Sequence, residues 1–76
     1  MNSMATLTIN RAEYFRLRES IGIRLDRIVA ERAGISSSHL SRILSQEDIS
    51  SVTVGTILLI CKVLGCKMED LLCESE

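Results

Sequence analysis

Proline and tryptophan are absent, and only one phenylalanine and one tyrosine occur among the 76 residues. With so little aromatic bulk, the core has to come from Ile, Leu, Val and Ala, which suits packed helices. No stretch approaches the roughly 18–20 uninterrupted apolar residues of a membrane span. Met1 to Asn10 lacks a basic start followed by an apolar run, which excludes a secretory signal there. The three cysteines, Cys61, Cys66 and Cys73, form no C-x2-C knuckle, and the single histidine, His39, is distant in sequence, so a metal centre is not expected. An odd cysteine count without a secretory signal reads as reduced thiols in a cytoplasmic protein. No nucleophile has an accompanying base and no glycine-rich loop could cradle a phosphate, so the sequence offers no enzyme chemistry and implies no cofactor.

What is present is enough for one small domain. Hydrophobic residues make up 46% and charged residues 25%, a globular balance. A chain this short hides only roughly 60% of the surface its unfolded form exposes, so dimerisation is a natural supplement. The net charge of −1 conceals a polarity along the chain. From Arg11 to Arg42 seven basic residues face four acidic ones; from Glu47 onward, two lysines face six acids. The basic half can present a face to a polyanion although the sum is slightly negative.

Thr6-Leu7-Thr8-Ile9 alternates as a short strand would, within an N-terminal arm spanning residues 1–9. Asn10 and Glu13 then read as a capping box for a first helix, with Tyr14, Phe15, Leu17 and Ile21 as its stripe and Gly22 as its stop. Leu25, Ile28, Val29 and Ala33 recur at helical spacing up to Gly34. Ser36 caps a third helix with Leu40, Ile43 and Leu44 inward. A polar loop over residues 46–52, interrupted by Ile49, leads to Thr53, the cap of a fourth helix ending at Gly65. In that helix Val54, Ile57, Ile60, Cys61 and Leu64 can face inward. A short fifth helix over about Lys67–Leu72 lays Met68, Leu71 and Leu72 onto the bundle. The expected layout is an all-α, compact five-helix bundle over residues 10–73, with residues 74–76 as a tail.

The segment from Val29 to Ile43 is the informative one. Small Ala30 lets two helices cross closely, Gly34 permits the turn between them, and Ile35 fills the space beneath it. With Leu40 and Ile43 anchored inward, Ser37, Ser38, Ser41 and Arg42 are left outward on the N-terminal half of an exposed helix. A serine run also serves as a plain capping loop, and Arg42 or His39 as solvated surface, so the pattern by itself admits both readings.

Ala30-x3-Gly34-Ile35-Ser36-x3-Leu40-Ser41-x-Ile43 resembles the lambda-repressor-like, Cro-type (XRE) helix-turn-helix family. The resemblance continues through Ile57, Ile60, Leu64-Gly65-Cys66 and Glu69-Asp70-Leu71-Leu72, and spans roughly residues 14–72. It implies a transcriptional regulator, a repressor or Cro-like protein, whose third helix reads bases in double-stranded DNA. Carried over by position, Ser37, Ser38 and Arg42 would contact bases, while Ser36, His39 and Ser45 would lie near phosphates. Arg42 can pair bidentately with guanine, whereas serine hydroxyls discriminate poorly.

The sequence departs from the family pattern in three places. Gly22 to Gly34 is one residue longer than usual, which alters the turn into the second helix. The polar phosphate-gripping position at the start of that helix falls at Leu25 or Asp26, neither suitable, with Arg24 or Arg27 as substitutes. The Glu that commonly closes the third helix is Leu44, and the Gly after it is Gln46. The fourth helix also carries more apolar residues than one stripe uses, so Leu58, Leu59 and Val63 are expected to form a homodimer surface. No membrane partner and no small-molecule effector domain are expected. The rival is a protein-interaction module on the same fold, such as an antitoxin or regulatory partner, to which the overall acidity and the apolar fourth helix also point.

Overall fold

The computed structural model describes residues 6–45, 49 and 51–75. Among them are five helices and one two-stranded antiparallel sheet, in the order β1 (Thr6–Ile9), α1 (Arg11–Ser20), α2 (Asp26–Ala33), α3 (Ser37–Ser45), α4 (Val54–Leu64), α5 (Met68–Leu71) and β2 (Leu72–Ser75). The fold is mostly helical, as expected, with the sheet as an addition. Much of the polar loop read at residues 46–52, with Met1–Ala5 of the arm and Glu76 of the tail, lies outside the described residues.

The alternation in Thr6–Ile9 is realised as β1, which pairs with β2 in the register Ile9↔Leu72, Thr8↔Cys73, Leu7↔Glu74. Ile9 is buried and Leu7 packs against the core. The other edge of β1 is met by Ile49, whose N–H donates to the Leu7 carbonyl at 2.7 Å while its side chain enters the core. The apolar interruption of an otherwise polar loop is therefore an anchor. Pairing with β1 also ends α5 one residue early, because Leu72 turns to extended backbone.

Asn10 caps α1 by accepting from the Glu13 N–H at 3.1 Å. The reciprocal half of the expected capping box is not made. The Asn10 N–H donates instead to the Leu71 carbonyl at 2.8 Å, continuing the strand ladder. The Glu13 carboxylate turns to Arg16, and hydrogen bonding from that guanidinium holds its pKa below the ordinary value.

Four apolar side chains expected inside lie outside. Phe15, Ile21, Leu25 and Val54 are all substantially exposed. Ile21 and Leu25 flank the longer turn: after Gly22 takes a left-handed backbone, Ile23 enters the core in their place. Leu25 is the extended N-cap residue of α2, outside its helical stripe. Val54 opens α4 ahead of its buried positions Ile57, Ile60, Cys61 and Leu64.

Cys61 is almost fully buried, and burial pushes its thiol up from an ordinary 9.0 to about 12. The folded state therefore keeps a proton that the unfolded state gives up. Stability falls as pH rises from the ordinary thiol range toward the folded value, at up to about 1.4 kcal/mol per pH unit. Urea unfolding between pH 8 and 10 is expected to show this decline, and Cys61→Ala to lessen it, leaving the smaller part that comes from Cys66, whose thiol burial also pushes up. An equal decline in the variant would assign the loss to another group.

Candidate nucleic-acid interface

α2 packs against both α3 and α4. Between α2 and α3, Gly34 adopts φ 76°, in the left-handed region that side chains disfavour, and its N–H donates to Glu31 at 3.2 Å. The Ile35 N–H returns to the Ala30 carbonyl at 3.0 Å, closing the turn. Ala30 is buried at the crossing and Ile35 packs against the core from beneath the turn.

Ser36 then starts α3, its hydroxyl oxygen accepting from the His39 N–H at 3.0 Å. Leu40, Ile43 and Leu44 are buried beneath the helix. Burying that side leaves Ser37, Ser38, Ser41, Arg42 and Ser45 exposed on the opposite side, with His39 half-buried. This outer ridge runs between two shallow depressions. One is walled by Asp26 of α2 together with Ser37, Ser38, Ser41, Arg42 and Ser45. The other is walled by His39 and Arg42, by Ser51 and Thr53 just before α4, and by Thr56 in its first turn. Arg42 borders both and so stands on the crest.

The serines are not equivalent. Ser36 has spent an oxygen lone pair on the cap but keeps its O–H to donate. The Ser45 hydroxyl donates to the Arg42 carbonyl at 3.2 Å, leaving oxygen lone pairs rather than a proton to face outward. Its expected place at a phosphate therefore requires that bond to be exchanged. Arg27 is exposed and shares a depression with Ser37 at the start of α3. The N-terminus of α2 has no side-chain cap, because Leu25 has no polar group to offer.

A family model for the Cro/C1-type HTH DNA-binding domain matches residues 16–73. The chain belongs to this family. No curated protein and no solved structure matches it.

In this Cro/C1-type domain the match spans α2, the turn, α3 and everything through α5, and so includes the ridge on α3. Two parts of the surface carried no signal in the sequence. Arg11 and Phe15 of α1 share a third depression with Asp26, Ser41, Leu44 and Ser45, which brings the start of α1 beside the C-terminal half of α3. The second is a polar cluster between α1 and the start of α2. Asp26 Oδ1 accepts from the fully buried Tyr14 hydroxyl at 2.8 Å and from Arg18 Nη1 at 2.5 Å. The Arg18 guanidinium lies 4.9 Å from the Phe15 ring centre, within cation–π reach. Burial, reinforced by Asp26, raises the Tyr14 phenol well above its ordinary pKa, so it remains a donor. Contacts separated by eight and twelve residues have no periodic signature, which is why spacing did not expose them.

Among the described residues no helix is long and apolar enough to cross a membrane. Leu58 and Leu59 of α4 are exposed, at 50% and 44%, while Val63 is half-buried and packs against the core.

Proposed function

We propose that this Cro/C1-type domain is a sequence-specific transcriptional regulator, a repressor or Cro-like protein, acting in the cytoplasm as a homodimer on a pseudo-palindromic operator. The carrying observation is the α3 ridge, with Leu40 and Ile43 buried beneath and Ser37, Ser38, Ser41 and Arg42 exposed above. A helix of this shape fits the major groove of B-DNA, about 12 Å wide. Arg42, on the crest, supplies the discriminating contact, pairing both guanidinium donors with guanine O6 and N7. Ser37, Ser38 and Ser41 complete the base-facing row. Arg27, Ser36, His39 and the open amides at the start of α2 hold phosphates, with Ser45 joining them after exchanging its bond, and Arg11 extends this grip.

The homodimer reading rests on Leu58 and Leu59, with Val63 beside them on α4 and Val54 at its start. Two copies related by a two-fold axis would present α3 to successive major grooves about 34 Å apart. The direct test is recovery of bound sequences from a random DNA pool at low and moderate salt. A recovered palindrome whose half-sites lie about one helical turn apart supports both parts. Absence of binding even at low salt would make the interaction-module reading the better one.

Arg42→Ala is expected to relax preference at one base pair of each half-site and to weaken binding by about 1–3 kcal/mol. Sequence selection with both proteins checks this. An unchanged preference for guanine at every position would remove Arg42 from base reading.

A further inference from the structure

The start of α2 offers an acid where a neutral or basic group would suit a phosphate. Asp26 is 42% exposed through its side chain, and it lines the depressions on both sides of Ser41 and Ser45 of α3. We propose that Asp26 is a specificity-determining residue that accepts a hydrogen bond from the N4 amino group of a cytosine in the major groove. This rests on the DNA-reading function proposed above and goes beyond it by naming a base and the residue that selects it.

The placement of the carboxylate supports this role. Both described bonds, from the Tyr14 hydroxyl and Arg18 Nη1, converge on Oδ1. Among the described residues none is made to Oδ2, which leaves that oxygen for a donor from outside. Arg18 is mostly buried, at 14% side-chain exposure, and held under the aromatic ring of Phe15. Its fixed positive charge offsets the negative one, so the carboxylate can stand near a polyanion without simply repelling it. Two donors, one of them on the packed Arg18, also fix the side chain before DNA arrives, as selective contact requires.

The choice of base follows from what a carboxylate can bind. An ionised carboxylate only accepts. Guanine presents O6 and N7, and thymine presents O4, all acceptors that would oppose it. Adenine has an N6 donor, but its N7 acceptor lies alongside and meets the same negative charge. Cytosine alone presents an N4 donor without a neighbouring acceptor on its major-groove edge. Asp26 therefore selects cytosine by attraction and rejects guanine and thymine by repulsion. Arg42, on the crest of the ridge, reads a different base pair.

The experiment is selection from a random DNA pool by the full chain, its Asp26→Asn variant and its Tyr14→Phe variant. Circular dichroism melting confirms that each is folded. The wild-type motif should contain one cytosine-restricted position per half-site, separate from the guanine assigned to Arg42. Asparagine retains an oxygen for Tyr14 and Arg18 but turns N–H donors outward where Oδ2 stood, and these suit the acceptors on guanine, thymine and adenine rather than the cytosine N4 donor. Asp26→Asn should therefore lower the cytosine preference there by roughly tenfold in favour of acceptor-bearing bases, leaving other positions unchanged. Tyr14→Phe removes one of the two donors that fix Asp26 but no acceptor, so it should weaken the cytosine preference less than Asp26→Asn does and raise no other base. If Asp26→Asn recovers the wild-type motif at every position, Asp26 is only the anchor of Arg18 and the proposal fails. Uniform loss of preference at all positions would also overturn it. If the wild type recovers no motif, the DNA-reading function itself falls.

Discussion

Leu40→Ala is expected to lower the unfolding free energy by about 2–5 kcal/mol, the usual cost of removing a fully buried leucine side chain. Leu40 is 0% exposed and lies at the centre of the buried side of α3, next to Ile43 and Leu44. The cost combines lost transfer free energy with the cavity left among neighbours that only partly collapse. At typical stabilities per residue, a domain of this size has about 4–11 kcal/mol in total. The substitution would thus remove a large share of it, and the loss would fall where the exposed ridge of α3 is attached. Urea unfolding followed by circular dichroism measures the effect directly. Ser41→Ala, one position on and exposed, should change stability by no more than about 0.5 kcal/mol. A Leu40→Ala loss below about 1 kcal/mol would mean that α3 is not anchored through this side chain.

That contrast between neighbours was largely legible in the sequence. Leu40, Ile43 and Leu44 recur at helical spacing, and Gly34 marks the turn, so the inward and outward sides of α3 followed from local pattern alone. The caps at Ser36 and Thr53 were legible for the same reason, since each bond closes within three residues. What escaped was non-local. The partner of Thr6–Ile9 lies more than sixty residues away at the other end of the chain, and no local pattern names it. Ile23 displaces Leu25 from the core because the turn after Gly22 is longer, and a stripe read along one helix does not register a residue arriving from a loop. Asp26 read as an unsuitable residue at a phosphate position. Its meaning changes once Tyr14 and Arg18 are seen to converge on one of its oxygens. The outward side of α3 was therefore readable, while the electrostatic arrangement beside it required three dimensions.

Replacing both Leu58 and Leu59 by Glu is expected to abolish the proposed homodimer and to lower affinity for a full operator by about 10²–10⁴-fold. The effect is large because joining two half-site readers makes the second binding event effectively intramolecular. Each leucine taken from water into an interface contributes up to about 1.5–3 kcal/mol, and a carboxylate in its place adds a desolvation cost. The new charges also fall in the acidic half of the chain, where like-charge repulsion between copies adds to the penalty. Both side chains are about half exposed, so the fold itself should lose little, and melting should stay close to that of the parent. Two measurements separate assembly from reading. Sedimentation equilibrium should show a monomer, and titration against an isolated half-site should give nearly the parent affinity while the full palindrome loses its advantage. If the variant still sediments as a dimer, Leu58 and Leu59 are not the joining surface. If it is monomeric yet binds the full site as tightly as the parent, the two half-sites are read independently, and dimerisation plays no part in operator recognition.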